Sequence, residues 1–251
     1  MQSVTGLTSS IILISLLIPI DASDVQAKSK TSQTNGTITL EASTEREHPV
    51  YPLQPNPEKP VIPDTGGDSK PGTTGPLSID YISDFQFGNQ YISTKNQTYY
   101  ALPQKYNSGE KPTANYVQIT DKRGTSAGWR LTVEQKTAFL ASSAQSYNSE
   151  IKGAELRIFA NEGVILSNGS SKKPTGRNVK LTGAGSSESL VAAEQGKGEG
   201  LWTITLGNLE EKNSILVNSG VMLEIPGSSQ VDVDEYKCNL IWKLENVPGF
   251  L

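Results

Sequence analysis

From Leu77 onward the chain is built of short runs in which apolar residues take every second position, and no segment sustains a 3.6-residue period over three turns. Side chains of a strand point alternately to two faces, so this spacing implies strands with one buried face, closing as sheets on a shared core. The clearest runs are Leu77–Ile82, Phe85–Phe87, Tyr116–Thr120, Trp129–Val133, Leu156–Phe159, Val164–Leu166, Trp202–Leu206, Val221–Ile225 and Tyr236–Leu244. Clusters of Gly, Asn and Ser separate them, the pattern of an antiparallel sandwich or barrel rather than of βαβ units. The 28 Ser, 21 Thr, 23 Gly and 14 Pro among 251 residues likewise favour turns and short strands. The expected fold is all-β: a single antiparallel β-sandwich-like domain over residues 77–251, with a proline-rich loop or linker near the N-terminus. Ser187–Glu194 alone reads as a helical turn, closed by Gly196, Gly198 and Gly200.

Ahead of that domain lie three segments of different character. Ile11–Ile20, IILISLLIPI, is too short to span a bilayer, which takes about 20 apolar residues, but has the length of a signal-peptide core. Ala27 offers a small residue at the cleavage position, so residues 1–27 are expected to be removed, although no Lys or Arg precedes the apolar run. In residues 28–47, Thr37–Ala42 forms a short candidate strand with Ile38 and Leu40 on one face. Residues 48–76 hold eight of the fourteen prolines, which fix φ and remove backbone donors, so this stretch is a linker or a long exposed loop. Within it, Ile62-Pro63-Asp64-Thr65-Gly66 resembles a sortase pentapeptide, but no apolar stretch and basic tail follow, and it reads as a turn.

Trp129-Arg130-Leu131-Thr132-Val133, Trp202-Thr203-Ile204-Thr205-Leu206 and Tyr236–Leu244 each alternate apolar with polar residues. A Trp whose same-face neighbours are Leu and Val is most simply a core residue; an exposed one would offer a platform for sugar rings. Two W-x-L tripeptides, Trp129-Arg130-Leu131 and Trp242-Lys243-Leu244, stand 113 residues apart. Together with Leu77-Ser78-Ile79-Asp80-Tyr81 and Phe85-Gln86-Phe87-Gly88 after the proline-rich stretch, the chain resembles the WxL-domain surface proteins of low-GC Gram-positive bacteria, from about Thr31 to Leu251. That resemblance implies a secreted protein held noncovalently on the cell wall through peptidoglycan. It also implies assembly with membrane-anchored WxL-interacting partners, and it makes Trp129, Leu131, Trp242 and Leu244 the motif residues. Other WxL proteins and host matrix proteins are further candidate partners.

The residues that carry chemistry are sparse. One His and one Cys leave no internal disulfide and no His/Cys metal site within a monomer, and no cofactor is expected. A net charge of −4 and a pI near 5.2 argue against nucleic acid as a partner. His48, beside the proline-rich stretch, lacks a partner that would orient it as a catalytic base. Cys238 falls on an apolar strand face and reads as a buried hydrophobe. Asp232-Val233-Asp234-Glu235 lacks the glycine and distal Glu of a calcium loop and reads as solvated, and Asp80 and Asp84 read as strand-end and turn residues. The densest basic stretch, Lys172, Lys173, Arg177 and Lys180, offers a loop for anionic wall polymer. The expected function is therefore noncatalytic wall binding and assembly at the cell surface. Two alternatives stay open: an adhesin for host or matrix proteins displayed on the wall, and, less favoured, a wall hydrolase using two carboxylates.

Overall fold

A computed structural model of the chain describes residues 30–66, 71–160, 163 and 165–250. The expected signal peptide, residues 1–27, lies outside these residues, as does Val164 of the expected Val164–Leu166 strand. Contacts divide the chain into one unit over Met1–Leu40 and another over Glu41–Leu251. In the first, residues 30–40 are extended, form no strand, and leave Ile38 and Leu40 each 83% exposed. The strand expected over Thr37–Ala42 is thus not formed; two apolar side chains alone bury too little to offset the entropy of ordering six residues.

The second unit is all-β, with no helix among the described residues. Its strands are β1 (Leu77–Ile82), β2 (Gln97–Ala101), β3 (Tyr116–Asp121), β4 (Trp129–Gln135), β5 (Leu140–Ala141), β6 (Glu155–Phe159), β7 (Ile165–Ser167), β8 (Thr175–Gly176), β9 (Asn178–Leu181), β10 (Ser187–Ala193), β11 (Gly200–Thr205), β12 (Leu209–Lys212), β13 (Ile215–Ile225), β14 (Tyr236–Lys237) and β15 (Leu240–Glu245). Every strand pair is antiparallel. The orders are β1-β3-β11-β7, β15-β4-β10-β8, and β12-β13-β6-β9 with β2 also on β13; β14 pairs with β5.

One core fills the space between these sheets. Ile79, Val117, Ile119, Trp202 and Ile204 enter it from the first sheet, Trp129, Leu131, Val133 and Val191 from the second, and Leu156, Ile158, Leu181 and Val221 from the third. Arg177 is the single residue between β8, which pairs with β10, and β9, which pairs with β6, so the chain passes there from one sheet to another.

Two further expectations are corrected. Ser187–Glu194 is not a helical turn but contributes β10, with Leu190, Val191, Ala192 and Ala193 all buried between β4 and β8. Burial on both faces erases the alternation that marks a strand, and pairing on both sides outweighs the helix propensity of Glu, Leu and Ala. Phe85–Phe87 forms no strand; it is a loop whose phenylalanines pack against the core.

The proline-rich stretch is a loop over its described residues, 48–66 and 71–76. Its prolines lack donors but keep their carbonyls, and these are used: Val61 N–H donates to Pro49 O at 2.8 Å and Thr203 Oγ1 to Pro52 O at 2.7 Å. Val50 N–H donates to Gln118 Oε1 at 2.8 Å, and Gln118 Nε2 donates to His48 O at 2.9 Å. The loop thereby covers the polar face of the first sheet, with Val50 and Val61 buried and Val61 among Tyr81, Tyr106 and Tyr116. A bulge between Ile79 and Tyr81 turns Asp80 and Tyr81 towards this side while Ile79 and Ile82 pack on the core. Within the sortase-like pentapeptide, Gly66 N–H donates to Asp64 Oδ1 at 3.0 Å, a side-chain-closed turn.

Candidate functional site

The two W-x-L tripeptides, distant in sequence, lie on neighbouring strands. β15 pairs with β4 so that Leu244 stands opposite Leu131, Trp242 opposite Val133 and Glu245 opposite Arg130. Opposed residues of an antiparallel pair share a face, so both motifs direct Trp and Leu towards the core. Trp129 is fully buried and its indole N–H donates to Gly198 O at 3.0 Å, which satisfies the one polar atom of the ring. Trp202, also buried, donates in the same way to Glu199 O at 3.0 Å. On the opposite face Arg130 pairs with Glu245 at 3.2 Å.

Trp242 differs. It is half-buried on the end strand of its sheet, edge-on to Phe85 with ring centroids 6.4 Å apart. The two rings line a cleft of about 1120 Å³. One wall is β1 with Phe85 and Phe87, and the other is Leu240 and Trp242 of β15. Its floor includes Phe139, Ile151, Leu156 and Leu223. The cleft therefore opens between the end strands of two sheets, where no ladder closes the core. Its rim loops carry Tyr91, Ile92 and Val233, all exposed. Cys238 also lines it, and burial pushes its thiol up to about 11, away from a reactive thiolate.

The carboxylates singled out by the sequence are engaged locally. Asp232 accepts from Asn148 N–H at 2.9 Å and Asn148 Nδ2 at 2.7 Å; Asp234 accepts from Ser143 N–H at 3.0 Å and from the Ser146 hydroxyl. Glu235 pairs with Lys237 at 2.8 Å. These contacts hold all three below the usual carboxylate range, the bonds from Asn148 and Ser146 and the Lys237 partner being the largest causes. Asp80 and Asp84 take separate places: Asp84 is exposed and lines the cleft, while Asp80 is buried under the proline-rich loop. Asp80 accepts from Ser78 Oγ at 2.7 Å, Thr120 Oγ1 at 2.6 Å and Gln118 Nε2 at 3.2 Å. Burial nevertheless raises its carboxyl above the ordinary value, more than those bonds lower it.

The family model described as "WxL domain surface cell wall-binding" matches residues 27–248. The chain belongs to the WxL family. The matched span contains both W-x-L strands, the cleft and the proline-rich loop, so these are parts of one WxL domain. Neither the curated proteins nor the solved structures compared with this chain provide a match. As a WxL protein the chain carries a surface cell-wall-binding domain, a binding family rather than an enzyme family.

The four bases of the expected polymer-binding loop are divided within this WxL domain. Lys172 and Lys173 are exposed ahead of β8. The Arg177 guanidinium lies 3.5 Å above the ring of Phe250, and Lys180, on β9, pairs with Glu155 at 3.2 Å. His48 is exposed and contributes its backbone carbonyl to the loop's attachment. The cleft itself escaped sequence reasoning. Its signal was the Phe85-Gln86-Phe87 alternation, which reads as a strand although it belongs to a wall.

Proposed function

We propose that the protein is a noncatalytic cell-surface component that binds peptidoglycan noncovalently and assembles with membrane-anchored WxL-interacting partners. The observation that carries this reading is the WxL match over residues 27–248, supported by a ladder that builds both W-x-L tripeptides into one domain. Export places it there: the apolar run Ile11–Ile20 directs secretion and is removed after Ala27. Lys172 and Lys173, which unlike Lys180 and Arg177 have no side-chain partner among the described residues, meet anionic wall polymer.

Sedimentation of the processed protein with purified peptidoglycan tests the proposal. Retention in the pellet without loss of turbidity is the expected result. Clearing of the suspension would assign a hydrolase instead, and absence of retention combined with binding to immobilised matrix protein would assign an adhesin.

A further inference from the structure

We propose that the WxL protein assembles head to tail: Thr37–Ala42 of one copy adds as a strand to the outer edge of β15 in the next. Ile38 and Leu40 then enter the cleft beside Trp242.

β15 ends its sheet, and among the described residues no strand pairs with its outer edge. β1, the end strand across the cleft, is partly covered already, because Thr73 N–H donates to Ile79 O at 2.7 Å and Ile79 N–H donates to Thr73 Oγ1 at 2.8 Å. A sheet edge offers a row of backbone donors and acceptors to another chain, and an extended segment answers them with its own. Beside this edge the cleft is lined by Leu240, Trp242, Phe85 and Phe87, which suit aliphatic side chains, whereas its charged lining residues, among them Asp84, Asp232, Asp234 and Lys237, come from other segments. Its volume of about 1120 Å³ accommodates two branched side chains with their backbone.

The occupant is present in the same chain. Thr37-Ile38-Thr39-Leu40-Glu41-Ala42 has the alternation of a strand, yet Ile38 and Leu40 are 83% exposed. Parallel pairing of the segment with β15 sets Ile38 beside Leu240 and Leu40 beside Trp242 on the cleft side. It sets Thr39 beside Ile241 and Glu41 beside Lys243 on the outer side. Glu41 and Lys243 are both exposed and have no ion-pair partner among the described residues, so this register brings opposite charges together. Donor segment and receptor edge are different surfaces, which makes the contact heterologous and lets it repeat along a row of copies.

Sedimentation velocity on protein purified as the expressing cell processes it, over a range of concentrations, reads the assembly. The expected mass rises continuously with concentration instead of stopping at a dimer. The double variant Ile38→Glu/Leu40→Glu should lose association on the order of tenfold or more at unchanged thermal stability, because a carboxylate cannot enter an apolar cleft unpaired. Glu41→Lys should weaken association about two- to fivefold, and combining it with Lys243→Glu should restore it. Adding the double variant to wild-type protein should shorten the assemblies, since it accepts a donor but offers none. A monomer at every concentration overturns the proposal, as does undiminished assembly by the double variant. A monomer whose amides over 37–42 resist hydrogen exchange also overturns it, because the segment then occupies its own cleft.

Discussion

Trp129 and Trp242 share a motif and a strand pair but not an environment, so truncation separates them. Trp129→Ala removes a fully buried ring and leaves the Gly198 carbonyl without its indole partner, a loss of about 3–5 kcal/mol in denaturant unfolding. Trp242→Ala costs less, about 1–3 kcal/mol, because part of that ring already meets solvent. If Trp242→Ala kept wild-type stability but lost retention on peptidoglycan, that ring would be a ligand platform rather than a packing residue. Gly198 is bound to the same feature: its φ is +79°, and a Cβ there would come within 2.6 Å of Trp129 Nε1. Gly198→Ala should therefore lower stability by about 1–3 kcal/mol, with near-ultraviolet circular dichroism reporting a displaced indole. The core role of Trp129 was readable from its period-two neighbours Leu131 and Val133. The half-exposure of Trp242 was not, because the same spacing describes a central strand and an end strand alike.

Elements show why some strands were legible and others hidden. β1 coincides with the run Leu77–Ile82, since one face meets the core and the other is polar. Tyr236–Leu244 alternates throughout, but its backbone is divided: β14 pairs with β5, and β15 pairs with β4. Alternation reports faces and is blind to which strand lies alongside. The proline-rich loop was hidden for a different reason: its attachment depends on carbonyls accepting from Gln118 and Thr203, which no pattern of side-chain polarity records. Asp80 sits in that seam with its carboxyl held above its ordinary value by burial, the nearby Glu47 charge adding to the effect. A folded-state pKa raised above the unfolded one means the folded protein binds the proton more tightly. The associated stability is complete below the unfolded value and is lost as pH rises through the folded one. The difference in unfolding free energy between wild type and Asp80→Asn should accordingly move in favour of the wild type as pH falls through the raised value, then level off below the ordinary carboxylate range.

For the molecule as a whole, retention on the wall is expected to depend on salt, but gently. All four bases are exposed, but only Lys172 and Lys173 lack a side-chain partner among the described residues, so Lys172→Ala/Lys173→Ala should flatten the salt response while Lys180→Ala, already paired with Glu155, leaves it nearly unchanged. Pelleting with peptidoglycan across a salt series measures both, and a flat response in the wild type would remove the two lysines from wall contact. N-terminal sequencing of protein taken from the cell surface should begin at Lys28. The all-β class and the WxL membership were legible because both rest on local pattern. The cleft was not, since it is made where the ends of two sheets fail to meet, a relation among residues from Pro71 to Trp242.

The ladder between β4 and β15 joins residues more than a hundred positions apart. Leu131 can therefore meet Leu244 only once all the chain between them has been made, and closing so long a loop slows folding. Until β15 arrives, β4 has a neighbour on one side alone, so the second sheet is completed late while the other two can already form.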